Sequence, residues 1–66
     1  MNNIETIYKT LEILWTTFGK TNSDIDEQLY DFMLEVEAIL DFGSNDPLND
    51  ALEILNEANE LIKSVK

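Results

Sequence analysis

The chain has 66 residues, with 14 acidic side chains against four basic ones and a formal net charge of −10 at pH 7. It contains no cysteine and no histidine, which excludes disulfide bonds and metal sites built on thiolate or imidazole ligands. This charge opposes binding to phosphate backbones and anionic membranes. We therefore expect no direct contact with nucleic acid or membrane, and any partner should be a basic protein.

The size and composition predict one folded domain, residues 1–66. Chains this short lie near the lower limit for folding without disulfides or metals, but hydrophobic residues make up 44% of the sequence. The N-terminal residues lack the basic region and apolar run of a signal peptide, and no apolar run exceeds three residues. A soluble, cytoplasmic location is the expectation.

The first predicted helix spans residues 3–18. Asn2 or Asn3 is expected to cap it, Glu5 suits its first turn, and Gly19 should serve as the residue after its C-terminal end. Its apolar residues recur at steps of three and four, which places them on one helix face. They are Ile4, Ile7, Tyr8, Leu11, Leu14, Trp15 and Phe18.

The second predicted helix spans residues 24–41. Ser23 is the expected N-cap, with Asp26 three residues later at the capping-box position, and Gly43 ends the helix. Met33 lies at the edge of an inward apolar stripe. The stripe consists of Ile25, Leu29, Phe32, Val36, Ile39 and Leu40.

The third predicted helix spans residues 47–65, with Asp46 as N-cap and Pro47 at the first helical position. Ile54 and Leu61 widen its apolar arc. The residues expected to face inward are Leu48, Ala51, Leu52, Leu55, Ala58, Ile62 and Val65.

Three apolar stripes and two short connections predict an all-α fold, a small antiparallel three-helix bundle. A helical hairpin that dimerises into a larger bundle is the alternative, and a homodimer of the bundle also stays open. The expected principal core consists of Ile7, Leu11, Leu14, Trp15, Leu29, Phe32, Val36, Ile39, Leu52, Leu55 and Ile62.

Residues that resemble catalytic or metal-binding motifs are better explained by the fold. Asp41-Phe42-Gly43 matches a protein-kinase triplet, but a kinase needs further loops that 66 residues cannot supply. A calcium loop starting at Asp41 would place Leu52 where an EF-hand needs glutamate. The serines have no histidine to activate them. We expect no enzyme activity, no cofactor and no bound metal.

Charge is segregated along the chain. Between Thr21 and Ile62 there are twelve carboxylates and no lysine or arginine. A surface that serves only solubility would mix signs, because Glu–Lys pairs four apart stabilise helices by about 0.2–0.5 kcal/mol and like charges cost a similar amount. Steps of three and four arrange most of the acids in two rows. The first row is Asp24, Glu27, Asp31 and Glu35, and the second is Asp46, Asp50, Glu53, Glu57 and Glu60.

The two rows favour a protein that binds through negative charge. Rows of carboxylates can imitate the phosphates of a duplex and occupy the basic groove of a nucleic-acid-binding protein or nuclease. This layout is similar, in composition and charge only and without a family motif, to small acidic inhibitors that phages encode. The alternative is a helical interaction or assembly module, an adaptor or a homodimer, whose acids serve solubility. For either function, Tyr30 and Leu34 are expected to be exposed side by side on the second helix, either as an apolar anchor for the partner or as incidentally exposed residues.

Overall fold

The computed structural model describes residues 3–64, which form three helices and no strand. Helix α1 spans Asn3–Phe18, α2 spans Ser23–Phe42 and α3 spans Pro47–Ser64, and a 3-10 turn, Gly19–Thr21, leads from α1 towards α2. Every pair of helices is in contact, and the bundle measures 34 × 18 × 17 Å. The prediction of an all-α three-helix bundle is confirmed.

The helix bounds lie within one residue of the predicted ones. Asn3 is already helical and is therefore not the cap of α1. The other expected cap, Asn2, lies outside the described residues, as does Val65. None of the helices within residues 3–64 combines the length and apolar character needed to cross a bilayer.

The start of α2 differs from the prediction by one residue. Asn22, and not Ser23, is the N-cap: its backbone is extended, with φ −151° and ψ 113°. The Asn22 Oδ1 atom accepts hydrogen bonds from the backbone N–H of Asp24 at 2.9 Å and of Ile25 at 3.3 Å. Both residues are good caps by type, so the backbone conformation decides between them.

The two glycines end their helices differently. Gly43 has φ 81°, a conformation that favours glycine, and its N–H donates to the Ile39 carbonyl at 2.8 Å. Gly43 therefore ends α2 as predicted. Gly19 lacks a positive φ and instead begins the 3-10 turn that follows α1.

Helix α3 begins at the predicted proline. The Asp46 carbonyl accepts from the Asp50 N–H at 2.9 Å, and the Asp46 Oδ1 atom accepts from the Asn49 N–H at 3.4 Å. Asp46 thus caps α3, with Pro47 at a position where its missing N–H costs nothing.

The core confirms the predicted faces of α1 and α2 and, on α3, the inward positions of Ala51 and Ala58. Leu48 and Leu52 were expected to point inward, yet they are 39% and 43% exposed. The buried face of α3 is centred instead on Ile54, between two alanines whose small side chains allow close helix approach. The buried core residues are Ile7, Leu11, Ile25, Leu29, Met33, Val36, Ala51, Ile54 and Ala58.

The other predicted core residues lie at the edge of this core. Ile62 is half-buried, and Phe18, expected on the inward face of α1, is 37% exposed. The large residues at the edge seal the helix interfaces instead of occupying the centre. Those packed against the core are Leu14, Trp15, Phe32, Ile39 and Leu55.

Asp26 connects α1 and α2 instead of completing a capping box. Its Oδ1 atom accepts a hydrogen bond from the indole N–H of Trp15, eleven residues earlier in the chain. Gly19 is buried beside it, and a Cβ atom added there would lie 3.3 Å from the Asp26 Cα. The closeness of Gly19 and the bond from Trp15 hold the corner between the two helices.

Replacing Leu11 by Ala should lower the free energy of unfolding by about 2–5 kcal/mol, because the leucine is fully buried. Leu52→Ala is the matched control and should cost less than about 1 kcal/mol, since much of this side chain is already in water. Urea unfolding followed by circular dichroism measures both. Equal losses for the two variants would contradict the observed orientation of α3.

Asp26→Ala should destabilise the fold by about 1–3 kcal/mol, because the Trp15 N–H loses its acceptor. Asp26→Asn keeps an oxygen at that position and should stay close to the wild type. Trp15 is the only tryptophan, so its fluorescence reports both unfolding and the local change. An Asn variant as unstable as the Ala variant would show that the charge, and not the hydrogen bond, matters.

Candidate protein-binding surface

The acidic row of α2 is solvent-exposed along its whole length. Asp24, Glu27, Asp31 and Glu35 are all exposed and are spaced three, four and four residues apart. This spacing keeps them on one face, which spans about 16 Å at 1.5 Å per residue. The α2 row is therefore an unobstructed surface.

The acidic row of α3 is also mostly exposed to solvent. It runs over about 21 Å of helix. Asp50 is half-buried and Asp46 also caps the helix, so these two carboxylates are less free than their neighbours. The fully exposed members that take no part in capping are Glu53, Glu57 and Glu60.

The α3 row borders a groove between α2 and α3, and the α2 row reaches this groove only at its last member, Glu35. Its volume is about 640 Å³, and Glu35 of α2 faces the acids of α3 across it. Ala38, Ile39 and Ile54 contribute apolar surface to the groove. The polar residues that line it are Glu35, Asp50, Glu53, Asn56 and Glu57.

The remaining predicted site residues lie along the rows or apart from the groove. Within residues 3–64, no three acidic side chains come close enough together to hold a metal ion. The acids are instead spread along the surface of the two helices. Those outside the groove lining are Asp24, Glu27, Asp31, Asp46 and Glu60.

Tyr30 and Leu34 are exposed as predicted but lie on the other side of α2 from the groove. Their exposed fractions are 49% and 45%. The Tyr30 ring lies 6.0 Å from the Trp15 ring, centroid to centroid and tilted by 44°, which places Tyr30 on the side of α2 that adjoins α1. The structure therefore does not bring this pair into the groove with the acids.

Phe42 is a candidate site residue that the sequence analysis missed. It is 88% exposed, the highest value among the large hydrophobic residues that the structure describes. Phe42 lies four residues after Ala38 and seven after Glu35, so it continues the α2 row beyond the groove. The spacing alone would have shown this continuation, but Phe42 was considered only as part of a kinase-like triplet.

A second groove, between α1 and α2, extends the negative surface. Its volume is about 450 Å³, and it is lined by Glu5, Tyr8, Lys9, Glu37 and Leu40. Burial raises the pKa of the Tyr8 phenol above its ordinary value of 10.0, and the charges of Glu37 and then Glu12 raise it further. The phenol thus stays neutral at physiological pH, and the negative potential comes from the carboxylates.

No family model, curated protein or solved structure matches this chain.

Raising the salt concentration from about 10 to 200 mM should raise the melting temperature. Over this range the Debye length falls from about 30 Å to below 10 Å. Screening therefore stabilises the folded state more than the unfolded chain, because the carboxylates are closer together in the fold. Thermal unfolding followed by circular dichroism measures the shift. A melting temperature that falls over this range would contradict a surface dominated by repulsion.

Proposed function

We propose that this protein is a small acidic inhibitor that occupies the basic groove of a nucleic-acid-binding protein or nuclease. The observation that carries the proposal is the groove at which the acidic row of α3 faces Glu35, the last member of the α2 row. Inhibitors of this kind are encoded by phages and mobile elements. The proposed site of action is the cytoplasm, where the target binds nucleic acid.

The density of charge supports imitation of a nucleic acid strand. The rows together hold nine carboxylates along a molecule 34 Å long. This gives about one negative charge per 4 Å over two rows, a little under half the density of a duplex, which has one phosphate per about 1.7 Å with both strands counted. A groove that binds a phosphate backbone with lysine and arginine would meet regularly spaced negative charge on this surface.

Rigid presentation also supports the proposal. Each row is carried by a helix that is fixed by buried residues, such as Leu29 and Val36 of α2 and Ala51 of α3. The carboxylates are therefore held in a fixed pattern before binding, which reduces the conformational entropy lost on association. Phe42 at the end of the α2 row adds an apolar contact, of the kind that dominates many interfaces.

An interaction or assembly module is the second candidate, and the exposure of Tyr30 and Leu34 favours it. Such a module would bind a partner of any charge, tolerate salt, and lose binding when Leu34 is replaced by Ala. Ile54 was predicted to widen the apolar arc of α3, but it is buried. Replacing Ile54 would therefore disturb the core and would not test a surface that binds a partner.

Reversing charge at Asp31, Glu35, Glu53 and Glu57 should abolish capture of a basic nucleic-acid-binding protein from a lysate of the native host. Duplex DNA should release the partner captured by the wild type, and binding should weaken steeply as salt rises. Mass spectrometry identifies the partner, and circular dichroism confirms that the helices are intact. Phe42→Ala should weaken binding about tenfold, and Tyr30→Ala should have little effect.

The control variant reverses the charge of four exposed carboxylates that lie outside the two rows, so the net charge changes by the same amount. It should retain most of the binding, because only the long-range attraction is reduced. If DNA fails to compete and the fourfold reversal in the rows still binds, the module is the correct function. The control positions are Glu5, Glu12, Glu37 and Asp41.

A further inference from the structure

The groove between α1 and α2 differs from the α2–α3 groove because an aromatic ring lines it. Its lining includes Tyr8 beside Glu5, Glu37 and Leu40. Within residues 3–64, no aromatic residue lines the α2–α3 groove. Negative charge is common to both grooves, so the aromatic side chains distinguish the ligands that the two grooves suit.

Two further rings lie beside the α1–α2 groove. Trp15 is two helical turns after Tyr8 on the same side of α1, and its ring lies 6.0 Å from the Tyr30 ring of α2. The pKa of Tyr8 is raised above its ordinary value first by burial and then by the charges of Glu37, Glu12 and Tyr30. Such charge effects weaken with distance, so Tyr30 lies near Tyr8 as well as near Trp15. The three rings, Tyr8, Trp15 and Tyr30, form an aromatic strip between the two helices.

The aromatic strip is held in place and is partly open to solvent. Trp15 is fixed by the hydrogen bond that its indole N–H donates to the Asp26 carboxylate, at the corner between α1 and α2. Tyr30 is 49% exposed, and Tyr8 and Trp15 are half-buried. A ligand can therefore contact the rings without disturbing the core, and little side-chain entropy is lost when it binds.

Carboxylates surround the aromatic strip. Glu5 and Glu37 line the groove, and Glu12 lies one turn after Tyr8 on α1. Lys9 also lines the groove, but it offsets only one of these three charges. The face of an aromatic ring attracts cations, as a carboxylate does. The groove therefore suits a cation that combines its charge with a flat surface.

We propose that the α1–α2 groove binds an arginine side chain of a partner protein, whose guanidinium group stacks on the aromatic strip and pairs with Glu37. Guanidinium is planar and weakly hydrated, and it stacks on aromatic rings while its N–H groups donate to carboxylates. The ammonium group of lysine is more strongly hydrated and has no flat surface. This chain contains no arginine, so the side chain comes from another molecule.

The arginine site is separate from the surface of the proposed inhibitor, because the α2–α3 groove lies on the other side of α2. Its partner needs an exposed arginine and does not need a groove that binds phosphates. Loss of arginine binding would therefore leave the inhibitor function intact. Capture of a nucleic-acid-binding protein would in turn not support the arginine site.

A glycine peptide with one central arginine and blocked termini tests the site when it is titrated into isotopically labelled protein. A dissociation constant on the order of 1 mM is expected for one side chain. The largest chemical-shift changes should occur at the Trp15 indole N–H and at the amides of Tyr8, Tyr30 and Glu37. Citrulline in place of arginine keeps the shape but loses the charge, and should bind about tenfold more weakly or less; lysine should bind about threefold more weakly.

Two matched pairs of variants separate this site from general attraction to the acidic surface. Tyr30→Leu keeps an apolar side chain but removes the ring, and should weaken arginine binding about threefold. Phe42→Leu changes an exposed ring outside the groove and should have no effect. Glu37→Gln should also weaken binding about threefold, whereas Glu53→Gln, in the α2–α3 groove, should change it little.

Circular dichroism verifies that each variant folds, and the Glu37 pair decides if Tyr30→Leu does not. The proposal would be overturned if arginine, lysine and citrulline peptides bound equally, or if both members of a variant pair lost binding to the same extent. Shifts centred on the α2–α3 groove, or no shifts at about 10 mM arginine peptide, would also overturn it.

Discussion

Mutual repulsion of fourteen carboxylates, opposed by a small apolar core, is the constraint on which the rest of this structure depends. The core within residues 3–64 consists of nine apolar side chains and contains no polar or charged one. All the charge is therefore displaced to the surface, and the helices determine where it lies. Because α2 contains no basic residue and α3 only one, near its end, the repulsion is not relieved along most of either helix.

The features of the fold that could be predicted from the sequence depend on short-range chemistry. Gly43 and Pro47 bound their helices because glycine tolerates a positive φ and proline suits the first helical position. The orientation of α3 could not be predicted in the same way. Its apolar arc is wide enough to bury either Leu52 or Ile54, and packing against the other two helices selects Ile54.

Contacts between residues far apart in the sequence explain the remaining differences between the predicted and the observed structure. Asp26 is three residues after Ser23, so a local pattern assigned it to a capping box, whereas its actual partner, Trp15, lies on another helix. The same limitation applies to the candidate site. Helical spacing predicted both acidic rows and the exposure of Tyr30 and Leu34, and the structure places them as expected on the surface. The packing of the helices determines that Glu35 faces the α3 row across a groove and that Tyr30 instead adjoins α1.

The acids are concentrated on α2 and α3, and several of them lie beside the α2–α3 groove. We propose that this acidic surface binds a basic partner, and screening by salt should then weaken the binding.

The proposed role of the α2–α3 groove is tested by mapping amide chemical shifts in the isotopically labelled protein as the captured basic partner is added. The largest changes are expected at amides around this groove, including Glu35, Ala38, Glu53 and Glu57, and at Phe42 beyond its end. Changes confined to α1, or centred on Tyr30 and Leu34 with the groove unaffected, would contradict this role.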